Sequence, residues 1–348
     1  MVENRNTEKW QTRGFAAYAH HGVSRAQSTS GAIFPLLCEK MIQEKGIIYG
    51  AQYVTEGGKL WVRHTAAQTM EDAASFYGAK YVQSDLKGIF PQVAEQLGRG
   101  RKVLFSGTPC QIAGLKKYLE HQKTDVDRLL TVDNICHGTP VPKVWQSYVS
   151  YCQKTDGETT LPKMNMRDKT TGWSNYMASV SRSYEDGKMV REKAVDNLYM
   201  RAFMSSLSLQ TGCCSCAFKG CDRVSDVTLG DFWGIWTLHG ECDDDGGTSA
   251  VLIHSEKGMV LWEQLQREGK LAICLEVPVE EIGSMNRNLF VPAEPHPMAA
   301  EFQRQVNGEN FAELVNQYQP LPKISLFQKA MDKLYTVRLR CKLRKNRK

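Results

Sequence analysis

The 348-residue chain is 42% apolar and 24% charged, with 12 proline and 28 glycine residues. That balance excludes wholesale disorder, collagen-like repeats and low-complexity polymers, and the length suits about two domains. Of its 44 Lys and Arg, seven crowd into residues 338–348, leaving 37 against 38 Asp and Glu, so a nearly neutral body removes the compositional case for nucleic-acid binding.

No apolar run approaches the ~18 residues that cross a bilayer. Glu3, Arg5, Glu8, Lys9 and Arg13 interrupt any export signal, so a soluble cytoplasmic protein with reduced thiols is expected. After a polar start, Ser28-Thr29-Ser30-Gly31 lead into Ile33, Leu36, Leu37, Met41 and Ile42, whose spacing predicts a helix capped by the serines. Strands are expected at Ile47–Val54 and Leu60–Val62 around Gly57-Gly58, and Lys80-Tyr81 and Gln83-Ser84 precede a helix at Ile89–Leu97.

The strand Lys102–Ser106 turns at Gly107-Thr108-Pro109-Cys110 into a helix carrying Ile112, Leu115, Tyr118 and Leu119. A strand at Leu129–Ile135 then ends in Cys136-His137-Gly138. Strand, helix and strand make a βαβ unit, which puts Cys110 and Cys136 just past the carboxyl ends of two parallel strands, where open α/β sheets bind ligands. A helix at Val141–Cys152, a hairpin of Tyr176–Ser183 with Lys188–Arg191, and a strand at Val227–Leu229 follow. Strands at Ser249–His254 and Leu271–Glu276 then flank a helix at Lys257–Arg267, and the rest is mainly helical and polar up to a basic tail.

Four of the eleven cysteines, Cys213, Cys214, Cys216 and Cys221, fall together, and Cys213-x-x-Cys216 lets two thiolates converge on one metal centre. The remaining ligands admit two solutions. Cys221 and Cys242 would complete a four-cysteine zinc site in a non-enzymatic scaffold or interaction protein; Cys110 and Cys136 would instead complete a [4Fe–4S] cluster, with Cys214 or Cys221 as substitutes. Cys110 at a helix N-terminus also has the features of a low-pKa nucleophile, and His137 beside Cys136 those of a base in a Cys/His pair. Gly107-Thr108, Arg167-Asp168-Lys169 with Gly172-Trp173, and Gly230-Asp231-Phe232-Trp233 are weak signals separately.

In order along the chain, Lys80-Tyr81-Val82-Gln83-Ser84, Gly107-Thr108-Pro109-Cys110-Gln111, Asp133 with Ile135-Cys136-His137-Gly138, Arg167-Asp168-Lys169 with Gly172-Trp173, Cys213-x-x-Cys216-x-Phe218-Lys219, and Arg223, Asp226 and Gly230-Asp231-Phe232-Trp233 form a specific set. The chain so resembles the beta subunits of coenzyme F420-reducing hydrogenase and formate dehydrogenase, with their bacterial and plastid relatives, over residues 12–260. The resemblance implies an iron–sulfur flavoprotein oxidoreductase with FAD and a [4Fe–4S] cluster: Lys80, Ser84, Gly107 and Thr108 near the flavin, and Cys110, Cys136, Cys213 and Cys216 on the cluster. His137, as a proton shuttle, and Lys169, as a cation offsetting reduced flavin, are the candidate catalytic groups.

Many relatives carry a ferredoxin-like C-x2-C-x2-C-x3-C-P segment, whereas residues 1–37 here hold no cysteine. A separate ferredoxin or partner redox subunit is therefore expected to exchange electrons with the cluster, a small-molecule substrate is expected at the flavin, and the basic tail is the place for any peripheral membrane contact. The helix start that often reads Ser-Gly-Gly is Ser30-Gly31-Ala32 here, which adds a methyl where a cofactor would approach the backbone. The expected fold is mixed α/β: a central, mostly parallel sheet with flanking helices, a small N-terminal α/β subdomain (1–76), a flavin and iron–sulfur domain (77–260) and a helical extension (261–348).

Overall fold

The structure, a computed structural model, describes residues 10–157, 160–161, 163–173 and 178–321. The basic tail 338–348, the charged residues 3–9 and the start of the hairpin at Tyr176 lie outside the described residues. The strands are β1 (Arg13–Ala19), β2 (Ile47–Glu56), β3 (Lys59–Ala67), β4 (Val103–Ser106), β5 (Leu129–Asn134), β6 (Lys163–Asp168), β7 (Ser179–Ser183), β8 (Met189–Lys193), β9 (Val227–Asp231), β10 (Ser249–Ile253) and β11 (Leu271–Val277).

Eight of them form one sheet in the order β11-β1-β10-β9-β5-β4-β2-β3. At its centre β2, β4, β5 and β9 are mutually parallel, while β3 closes one side and β10, β1 and β11 the other through antiparallel ladders. This is the expected mixed α/β architecture with a mostly parallel centre. β1 is an addition to it: the segment Arg-Gly-Phe-Ala-Ala-Tyr-Ala, too poor in β-branched residues to stand out, sits buried between β10 and β11.

Alternation along the strands sorts the core. Ile48 and Leu104 join Phe15, Val132, Val251 and Trp262 beneath the helix Ile33–Gln43, which buries Ile33, Leu36, Leu37 and Met41. Ile47, Val103 and Phe105 point the other way, onto the helices Ile89–Gly98 and Pro109–His121 through Val93, Ile112, Leu115 and Leu119. A second sheet, β6-β7-β8, packs Met164, Met166 and Val180 against the helix Pro142–Asp156, in a core that Phe302, Phe311 and Leu314 of the last helices complete.

The serines do not cap the helix that begins at Ile33. Its N-cap is Ala32 in the left-handed conformation (φ 65°) without a side-chain cap, and the Ser28 hydroxyl donates instead to the Ser24 carbonyl. Gly31 explains the sharp entry: its N–H donates to Ser249 Oγ (2.9 Å), and an added Cβ would stand 2.4 Å from the Ala17 carbonyl oxygen. The Ala32 methyl, 3% exposed, enters the apolar core with Phe15. An alanine held left-handed costs about 1 kcal/mol, but removing its buried methyl forfeits about 0.8 kcal/mol, so Ala32→Gly should leave stability within about 1 kcal/mol of wild type in urea unfolding. Gly31→Ala should lower it by ~2 kcal/mol through overpacking against strand backbone.

Candidate functional site

The turn after β4 is built by side chains. Burial holds the His64 imidazole down at about 4, hence neutral, and its ring stacks on Phe105 with centroids 5.2 Å apart. His64 Nε2 lies 2.7 Å from the Ser106 carbonyl, which can only accept, so Nε2 carries the proton and Nδ1 accepts from the Ser84 hydroxyl at 2.8 Å. Ser84 Oγ in turn accepts from Gln111 Nε2 (3.0 Å), and Gln111 Oε1 accepts from Thr108 N–H (2.9 Å). Every donor in this chain has one acceptor. It fixes Gly107 and Thr108, and a Cβ added at Gly107 would press on Gln111 Oε1 at 3.0 Å.

That turn presents Cys110 in the first turn of the helix Pro109–His121, exposed, with Thr108 Oγ1 at 3.1 Å from its sulfur. One strand over, Cys136 follows β5. Burial pushes its thiol up to about 12, opposed by Lys219 and reinforced by the charges of Cys213, Cys110 and Cys216. The structure thus brings the four proposed thiols into one electrostatic neighbourhood. Thr139 N–H points at Cys213 Sγ (3.3 Å) and Phe218 N–H at Cys216 Sγ (3.4 Å), the kind of donor that steadies thiolate ligands. At Gly138 a Cβ would meet Leu209 Cδ1 at 2.7 Å and Cys213 Cβ at 3.2 Å, so glycine lets the two loops close.

Of the other cysteines weighed as ligands, Cys214 is influenced by Cys213, Cys221 by Glu280 and Arg223, and Cys242, buried with Trp173 and Phe232, by Glu241 and Cys274. Among the described residues no three His, Cys, Asp or Glu side chains converge tightly enough for one metal ion.

His137 turns away from Cys136. Its Nε2 reaches the Phe203 carbonyl (3.1 Å) and its Nδ1 lies 3.3 Å from Asn288 Oδ1, while burial lowers its pKa. Lys80 is half-buried, with its ammonium among the carbonyls of Phe76 (3.3 Å), Tyr77 (3.1 Å) and Gly78 (3.3 Å); burial, then Lys163, brings it down to about 7. Lys169 donates to the carbonyls of Arg25 (2.7 Å), Ser30 (3.0 Å) and Gly246 (2.8 Å), and burial with Arg25 brings it down to about 8. It borders a separate cleft of about 560 Å³ between Arg25 and the polar face of the second sheet, Lys163, Asn165 and Arg191.

The weak motifs meet between these two regions. Arg167 donates to the Trp173 carbonyl (3.1 Å), stands 3.5 Å from Asp231 and lies over the Trp233 ring at 4.8 Å, and Trp233 stacks on Trp173 at 5.3 Å. Burial raises the Asp231 pKa, opposed chiefly by Arg167, and Tyr81 feels both charges. Lys80, Tyr81, Cys136 and Asp231 each keep some solvent-accessible surface. His64 and Asn288 escaped sequence reasoning, because a lone histidine in a strand and an asparagine in a polar helical stretch carry no spacing signal. In the metal-free protein iodoacetamide at pH 8 should modify exposed Cys110 at least tenfold faster than Cys136, whose thiolate is scarce, as peptide mass spectrometry can measure.

The chain matches, over residues 100–277, the family model for the C terminus of the coenzyme F420 hydrogenase/dehydrogenase beta subunit. A comparison with curated protein sequences finds no match. Among solved structures the fold is similar to a chain of the F420-reducing [NiFe] hydrogenase complex from Methanosarcina barkeri, with a TM-score of 0.50 and 18% identity over 92% of this chain and 93% of that one. Among the described residues no helix is long and apolar enough to cross a membrane. The matched segment spans just over half of the chain and contains the four thiols and the turns that present them, and on that ground the protein belongs to the coenzyme F420 hydrogenase/dehydrogenase beta subunit family.

Proposed function

We propose that the protein is an iron–sulfur flavoprotein oxidoreductase. Cys110, Cys136, Cys213 and Cys216 hold a [4Fe–4S] cluster, FAD lies beside Lys80, Ser84, Gly107 and Thr108, and ferredoxin or a partner redox subunit exchanges electrons with the cluster. The observation that carries this reading is the Cys136 thiol, buried just past a strand end, with three further thiols from two other segments contributing to its electrostatic environment. The N–H donors aimed at Cys213 and Cys216 and the space kept by Gly138 fit the same group. Membership of a hydrogenase and dehydrogenase subunit family supports redox work in general.

Bound flavin accepts electrons in pairs from organic substrates and releases them singly. In this reading the chain's own residues bind, orient and supply charge. The Ser84–His64–Gln111 chain holds the Gly107-Thr108 turn rigid without carrying charge of its own. Lys80, titrating near neutrality, provides an ammonium that offsets negative charge beside it. Lys169 acts at the edge of the second cleft, where a small-molecule substrate would find hydroxyls, amides and cations. His137 keeps the loop after Cys136 in place by bridging Phe203 and Asn288.

Anaerobic reconstitution with ferrous iron, sulfide and FAD should give brown protein with close to four irons per chain and flavin absorbance that dithionite bleaches. Cys136→Ser should lose most of the iron and the broad visible absorbance while keeping its far-ultraviolet circular dichroism. Cys242→Ser should keep both. Folded wild-type protein that takes up neither iron nor flavin would overturn the proposal, and zinc without acid-labile sulfide would favour a scaffold.

A further inference from the structure

We propose that Lys219 is a positioning residue that ties the cysteine loop to the end of β5 and raises the electron affinity of the centre those thiols hold. The inference rests on the cluster reading above. Lys219 Nζ donates to the carbonyl of Cys136 (2.5 Å) and to that of Asn288 (2.8 Å), while the next residue, Gly220, donates its N–H to the Leu289 carbonyl (2.7 Å). One side chain thus joins three segments: the loop bearing Cys213 and Cys216, the turn bearing Cys136, and the short helical turn Arg287–Leu289. The last lies outside the stretch that matches the family, residues 100–277.

The charge of Lys219 has no carboxylate partner among the described residues. Its half-buried ammonium interacts instead with Cys136, Cys216 and Cys213, and burial lowers its pKa. The neighbouring cation, Arg223, is by contrast committed to Asp133 at 3.4 Å. A cation withdrawn from water without a counter-ion is costly. Two carbonyls satisfy its hydrogen bonds but supply no net charge, and the thiolates of a metal centre would supply it. The same geometry makes Lys219 favour each electron that the centre accepts, since an added negative charge is attracted through a poorly screening interior.

The test uses the full chain as wild type, Lys219→Met and Lys219→Arg, reconstituted anaerobically and followed by visible absorbance during a mediated dithionite titration, with iron counted per chain before and after chelator challenge. Lys219→Met should disfavour the reduced centre about tenfold, a midpoint ~59 mV more negative for a one-electron couple, and lose iron to chelator several times faster. Lys219→Arg, which keeps the charge, should recover most of the potential. If Lys219→Met does not fold by circular dichroism, Lys219→Gln makes the same comparison. A wild-type midpoint in the uncharged variant, or an arginine variant shifted as far as the methionine one, overturns the assignment while leaving the cluster reading intact. Wild-type protein that takes up no iron overturns both.

Discussion

β5 is the strand on which the site depends. It lies between β4 and β9, parallel to both, so the turns that follow β4 and β5 emerge at one edge of the sheet, with Cys110 on one and Cys136 on the other. The segment after the Cys213 loop runs back along β5: Lys219 is bonded at Cys136, Arg223 is paired with Asp133, and Asp226 is hydrogen-bonded to Thr131, before the chain reverses into β9. Each contact is made by a polar or charged side chain in a poorly hydrated place, where an unmade bond is expensive. The position of the cysteine loop is therefore coupled to the register of the central sheet.

Around that spine the molecule separates holding from chemistry. His64, His137 and the inner carboxylate Asp231 are enclosed, and burial drives all of them toward their neutral forms. Lys80 and Lys169 are drawn down toward neutrality while their N–H groups satisfy backbone carbonyls. The neutral imidazole of His64 orders its turn without setting up a strong fixed field of its own, whereas Lys80 and Lys169 set ammonium groups against backbone carbonyls. Lys219 differs, since its ammonium faces thiols. Glycine contributes at Gly31 and Gly138 in another way, because backbone or sulfur-bearing loops approach where a methyl would stand.

The two regions of interest are linked through aromatic and ionic contacts. Phe203 receives His137 against its edge and stacks on Tyr81, which in turn feels Arg167 and Asp231, the ion pair that also meets Trp173 and Trp233. Lys169 senses the same ion pair from the far side, at the second cleft. The motifs that are uninformative one by one, around residues 81, 167 and 231, are the lining between the thiol edge and that cleft.

Much of this was legible in the residues alone. The βαβ unit follows from apolar strands of four to six residues around an amphipathic helix, and parallel pairing of its strands then puts Cys110 and Cys136 on one edge. Local sequence was a poorer guide where the chain relies on partners. β1 is a strand because β10 and β11 flank it, and the helix at Ile33 begins at a left-handed alanine because Gly31 is pressed onto β1, so serine chemistry had no bearing on it. The roles of His64 and Asn288, and the different settings of Lys80 and Lys169, depend on which groups surround each side chain. Periodicity and spacing determine which residues share a strand, a helix face or a turn, for these are short-range steric and hydrophobic preferences. Only the tertiary structure decides which distant polar groups meet, since those pairings are selected by burial that no local stretch of chain can achieve.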